Sequence, residues 1–120
     1  MARRKTTVNP ALLKCVFRYR PYHAQAHGRV EADGSFVVLA GSTAIRDSSA
    51  GQKRDREERD RLVRQGVLGV HLDPTLLVFE RDCEFTSASR AAGIIKDGNA
   101  SGPQLWIDIS TGKSLKDLLA

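Results

Sequence analysis

The residues of this chain best suited to chemistry lie near its start. Phe17, Tyr19 and Tyr22 alternate with Arg18 and Arg20, and His23 and His27 follow, four residues apart. Rings of this kind stack on nucleobases while neighbouring cations hold the phosphates, so the interleaving points to nucleic acid. A protonated histidine on the same surface would add a phosphate contact. Other groupings lead nowhere. His23 and His27, with Cys15 and the distant Cys83, lack the spacing of four converging zinc ligands, and no metal site is expected. Thr111-Gly112-Lys113-Ser114 ends like a phosphate-binding loop, but Ile107 stands where that loop needs its first glycine. Neither cysteine has a local nucleophile motif, and Glu57 and Glu58 sit among arginines that keep them ionised. An enzyme would need dispersed groups such as Ser42, His71 and Asp82 to converge. The expectation is a non-catalytic binding module with no cofactor.

Charge placement supports the same partner. Net charge is +5. The first thirty residues carry Arg3, Arg4, Lys5, Lys14, Arg18, Arg20 and Arg29 and no acid, whereas the rest of the chain has twelve basic and fourteen acidic side chains. So uneven a field attracts polyanions and speeds their encounter. The alternative is a protein partner, a nuclease or modification enzyme with an acidic surface that meets the arm or the charged segment Arg54–Arg64. No apolar run reaches the roughly 18 residues a bilayer span requires. No signal peptide fits the start, and two cysteines make no disulfide framework, so a reducing cytoplasm is expected.

The elements that would position these groups follow from pattern. Residues 1–10 read as a flexible basic arm, and 11–120 as a single α+β domain. Leu12 to Arg20 alternates, with Leu13, Cys15, Phe17 and Tyr19 on one face and Lys14, Val16, Arg18 and Arg20 on the other. Ala24 to Glu31 alternates again, Asp33-Gly34 signals a hairpin turn, and Phe36 to Ala40 is a short apolar run. The three make an antiparallel meander whose outer face gathers Lys14, Arg18, Arg20, Gln25, His27 and Arg29, with Tyr22 accessible in the first turn. Gly41 to Gly51 reads as a polar loop. Gln52 to Gln65 reads as a solvated edge helix with pairs Arg54–Glu58, Asp55–Arg59, Glu57–Arg61 and Asp60–Arg64, stopped at Gly66. Val67–Val70 and Leu76–Glu80 read as strands, and Arg81–Phe85 as a continuation or a hairpin return. A helix capped by Thr86 or Ser87 runs to Lys96 and faces Ala91, Ala92, Ile94 and Ile95 inward. Leu105–Ile109 reads as a last strand, and Ser114 with Asp117 opens a short final helix. The fold expected is an antiparallel sheet, a three-stranded meander plus later strands, with about three helices.

Three stretches in order also resemble a known family. They are FVVLAGSTA from Phe36 to Ala44, LVRQGVL from Leu62 to Leu68, and FTSASRAAGIIKDGNASGPQLW from Phe85 to Trp106. Together they resemble an uncharacterised bacterial domain, domain of unknown function 4357, often found C-terminal to GIY-YIG-type nuclease domains. That family has an apolar strand ending in Gly-Ser-x-Ala, a helix ending in Gly-x-Leu, a segment like Phe-Ser-Ser-Pro-Ser-Ala-Ala-Ala, and Asn-Gly-Trp-x-x-Trp. The later segment is also similar to the domain appended to some restriction-type adenine methyltransferases. The resemblance covers about residues 11–119 and implies DNA-related work beside restriction or modification enzymes. Gly41, Ser42 and Ala44 match the first motif, Phe85, Ser87, Ser89, Ala91 and Ala92 the second, and Gly102 and Trp106 the third. Ala88 stands where the family usually has proline, and Ser101 and Pro103 where it has Asn and its first Trp. No nuclease motif is present, so no cleavage activity carries over.

Overall fold

In the computed structural model, which describes residues 10–46, 53–98 and 100–119, the first third of the domain forms the antiparallel meander its alternation predicts. Strands β1 (Phe17–Tyr19), β2 (Ala26–Val30) and β3 (Phe36–Val38) pair in sequence, Phe17 opposite Gly28 and Gly28 opposite Val38. Gly28 faces the core for a steric reason. A Cβ there would lie 2.3 Å from the ring of Phe36, so glycine makes the room that the ring fills. Strands β7 (Cys83–Phe85) and β8 (Ile107–Asp108) flank the meander, giving the order β7-β3-β2-β1-β8. A second, three-stranded antiparallel sheet has the order β4-β6-β5, from β4 (Thr43–Ile45), β5 (Leu68–Val70) and β6 (Leu76–Phe79).

Helix α2 (Ala88–Lys96) packs against strands of both sheets. Its sequence reads well locally. Ser87 accepts the Arg90 amide at 3.0 Å as the N-cap, and Ala91, Ala92, Ile94 and Ile95 are fully buried. Trp106, Phe17, Phe36, Phe79 and Leu68 complete the core around it. Helix α1 (Lys53–Arg64) closes at Gly66, where the Val67 amide returns to the Leu62 carbonyl. Helices α3 (Gly102–Leu105) and α4 (Leu115–Leu119) are short, and Ser114 caps α4 through the Asp117 amide at 3.1 Å. None of the described helices is long and apolar enough to cross a membrane.

The α+β class with antiparallel sheets is as expected, and several elements differ. Residues Pro10–Lys14 form a 3-10 turn instead of the start of a strand. Proline fixes the first φ, and the Cys15 amide bonds the Leu12 carbonyl. Leu12 therefore plugs the core while Leu13 is 37% exposed. The polar loop after Gly41 contains β4, which pairs with β6, far along the chain. Residues Arg81–Phe85 neither extend β6 nor return along it. The chain crosses to the larger sheet, where Phe85 pairs with Phe36 and the Asp82 carboxylate accepts the Ala40 amide at 2.8 Å. The last strand is shortened by α3, so four helices are present among the described residues.

Helix α1 is not a freely solvated edge helix. Arg59 is 4% exposed and reaches the carbonyls of Ile94, Ile45 and Arg46 and the carboxylate of Asp97, itself 1% exposed. Glu58 accepts Arg90 Nε at 2.8 Å and also meets Arg61. The charges therefore bind α1 to α2 and β4 rather than pairing only along their own helix.

Candidate nucleic-acid interface

The outer face of the meander is built from β1 and β2. Phe17 and Tyr19 point into the core, which turns Arg18 outward, opposite His27 on β2 and Ile107 on β8. His27 is exposed and Arg18 partly so. Lys14 ends the 3-10 turn, and Arg20 follows β1; both are exposed. Among the described residues, Lys14, Arg18 and Arg20 have no carboxylate partner. Arg3, Arg4 and Lys5 lie outside the described residues.

The continuous cationic face expected over Lys14, Arg18, Arg20, Gln25, His27 and Arg29 is not what the register produces. Arg29 sits opposite Val37, which sits opposite Glu84 on β7. Its guanidinium is 3.0 Å from Glu31 and 3.8 Å from Asp82, so carboxylates occupy it. The face divides into a cationic part around β1 and a neutralised part toward β7. Parity already places Glu31 beside Arg29 on the same face, but it could not show Asp82, which arrives from a distant segment just before β7.

The β1–β2 connection carries the most unusual residue of this surface. The Ala24 amide closes onto the Pro21 carbonyl at 3.0 Å, and within that turn Tyr22 has φ 55° and is 74% exposed. A side chain in the left-handed region costs roughly 1–2 kcal/mol, which glycine would avoid. The neighbouring His23 bonds Thr75 Oγ1 at 2.6 Å, tying this turn to the β5–β6 connection. The Thr75 hydroxyl and amide hold the Asp73 carboxyl below its usual range, with His23 and His71 adding to the effect. His23, unlike His27, is thus a structural tie.

The motif residues are structural in their contacts. Ser42 Oγ accepts the His27 amide at 2.9 Å, and its own carbonyl accepts Phe79, so Gly41-Ser42-x-Ala44 splices the large sheet to the small one. Ser89 Oγ accepts the Gly102 amide at 3.0 Å, and Trp106 Nε1 donates to the Ala88 carbonyl at 3.0 Å. Phe85, Ala91 and Ala92 are core residues. Pro103 lines a cavity of about 360 Å³ with Phe36, Ser87, Ser89 and Leu115.

Ser42, His71 and Asp82 are engaged separately, by the amides of His27, Asp73 and Ala40. Burial pushes both thiols above their usual pKa, with Asp108 adding to the rise at Cys15, the reverse of an activated thiolate. Among the described residues no group of three His, Cys, Asp or Glu side chains could hold a metal ion.

Neither the curated proteins nor the solved structures include a match to this chain. A family model does match, over residues 17–119, from β1 to the end of α4, so the splice at Ser42 and the Ala88–Gly102–Trp106 contacts all fall within it. The chain belongs to the family described as a domain of unknown function, DUF4357.

Proposed function

We propose that the domain binds nucleic acid, DNA in the first instance, as a non-catalytic module. The contact surface is Lys14, Arg18 and Arg20 with Tyr22 and His27, joined by the basic residues Arg3, Arg4 and Lys5. The observation that carries the reading is Tyr22, held exposed in a left-handed backbone two residues after Arg20, which like Arg18 has no carboxylate partner among the described residues. An exposed ring supplies a stacking platform, and strain kept at an exposed position is a mark of functional sites. Phosphate contacts give affinity and salt dependence with little sequence reading. The resemblance to domains beside nuclease and adenine-methylase proteins makes DNA restriction or modification the natural setting, with this chain as the accessory that holds the substrate.

The test is a fluorescence-anisotropy titration of single- and double-stranded oligonucleotides at several salt concentrations. The logarithm of the affinity should fall linearly with log salt. Arg18→Ala with Arg20→Ala should flatten the slope by roughly 1.4–1.8, since each phosphate contact contributes roughly 0.7–0.9. Arg29→Ala should leave it nearly unchanged, because Glu31 and Asp82 already hold that guanidinium. Absence of binding at low salt, or salt-independent affinity, overturns the proposal.

A further inference from the structure

A second surface, using none of the residues above, lies between α1 and the three-stranded sheet. A cavity of about 360 Å³ opens there, walled by Val63, Val70 and Leu77, with Arg46, Arg56 and Asp60 at its polar side. Two of its walls are unusually exposed for aliphatic side chains, Val63 at 46% and Val70 at 76%, over a floor of buried Leu77; Leu72, outside the cavity and just past β5, is fully exposed as well. Strand β5 is also an edge of its sheet.

We infer that this cavity docks an acidic peptide segment of a partner protein, an aliphatic side chain entering between Val63 and Val70 while flanking carboxylates meet the guanidinium groups. Charge complementarity identifies the occupant. Arg59 forms a cavity wall but is consumed by three carbonyls and Asp97. Arg56, its side chain 45% exposed, pairs with the Asp97 carboxylate at 3.4 Å and still presents its charge at the cavity rim. Arg46 is exposed and has, among the described residues, a single long bond to the Pro74 carbonyl at 3.4 Å and no carboxylate. Cations around an aliphatic pocket suit an acidic, leucine-like motif. Nucleic acid fits less well, since no aromatic ring lines the cavity to stack a base. Beside an edge strand, an extended segment could also add its main-chain bonds to β5.

The test is a selection of random dodecapeptides displayed on phage against the full-length domain, with counter-selection on the Arg46→Glu, Val70→Asp double variant. The expected result is a consensus of an aliphatic residue flanked by Asp or Glu. The selected peptide, measured by anisotropy, should bind at least roughly tenfold more weakly to either single variant. It should bind Arg18→Glu with Arg20→Glu unchanged and resist displacement by an oligonucleotide. Both altered positions are exposed, and the milder Arg46→Gln and Val70→Ser repeat the measurement where the first pair perturbs folding. No enrichment over the double variant, a consensus without acids, or displacement by oligonucleotide overturns the inference. The last outcome would assign the cavity to nucleic acid.

Discussion

The indole N–H of Trp106 donates to the Ala88 carbonyl across 3.0 Å, and the ring, fully buried, lies 4.4 Å from Phe36 and 5.5 Å from Tyr19 between centroids. The carbonyl belongs to the first turn of α2, so one side chain fastens the central helix to the aromatic core of the larger sheet. A second fastening lies beside it, where Ser89 Oγ takes the Gly102 amide and sets α3 against the start of α2. Ser89, Gly102 and Trp106, which match the family's motifs in sequence, thus hold the fold together.

Gly102 should not tolerate a side chain. A Cβ at that position would lie 2.3 Å from Ala88 C and Ser89 N, and both are backbone atoms that cannot swing away. Gly102→Ala is expected to destabilise by about 1–3 kcal/mol, as overpacking does in a filled core. Urea denaturation measures it, and an unchanged midpoint would mean that α3 does not press on α2 as described.

The parts of this architecture that were legible in the sequence are the parts fixed by near neighbours. The Ser87 cap, the inward face of Ala91, Ala92, Ile94 and Ile95 and the Asp33-Gly34 turn each depend on residues a few positions apart. Strand β4 was hidden because Thr43–Ile45 lies in a Ser- and Gly-rich stretch and becomes a strand only by pairing with β6. Alternation through Leu13 and Cys15 suggested a strand, but Pro10 starts a tighter turn first. The candidate surface was half legible. Parity correctly turned Arg18 and His27 outward, yet the acids that occupy Arg29 arrive from Glu31 and from Asp82 near β7. Arg59 was read as a helix-surface charge because nothing near it in sequence announces Asp97.

Arg59 should prove the most costly charge to remove. Arg59→Ala strips a donor from the carbonyls of Ile45, Arg46 and Ile94 and takes a guanidinium away from the buried Asp97. Breaking a buried pair from one side costs about 3–5 kcal/mol, a large share of a typical domain's stability. Arg59→Met combined with Asp97→Asn should recover much of the loss. Asparagine suits the left-handed backbone at that position, φ 61°, and carries no charge to strand. Chemical denaturation of the wild type, Arg59→Met, Asp97→Asn and the double variant tests this, and additive effects would show that the two residues are not coupled.

Alkaline titration should expose the burial of Tyr19. Burial pushes its phenol up to about 12, with the nearby Tyr22 a lesser cause. The unfolded chain releases that proton near about 10. The folded state therefore holds the proton more tightly, and stability is fully present below the unfolded value and declines as pH rises from about 10 to about 12. Tyr19→Phe should flatten this limb of a denaturation midpoint measured against pH. A phenolate absorbance titration of Tyr22→Phe, which leaves Tyr19 as the sole tyrosine, should show one late step. An ordinary titration in that protein would place the Tyr19 phenol in water.

Tyr22 is where stability and binding should part company. Its φ of 55° is strained for any side chain, while its ring is 74% exposed and contributes little to the core. Tyr22→Gly relieves roughly 1–2 kcal/mol of backbone strain but adds about 1 kcal/mol of unfolded-chain entropy, so folding should be unchanged or slightly improved. Tyr22→Ala keeps the strain and loses the ring. Both variants should weaken binding to single-stranded oligonucleotides by the roughly 1–3 kcal/mol that base stacking supplies, and Tyr22→Trp should retain it. Because glycine relieves the strain that alanine keeps while both remove the ring, a shared loss of affinity is traced to the ring and not to the fold. Wild-type affinity in both would remove Tyr22 from the interface and leave the strained turn without a role in binding.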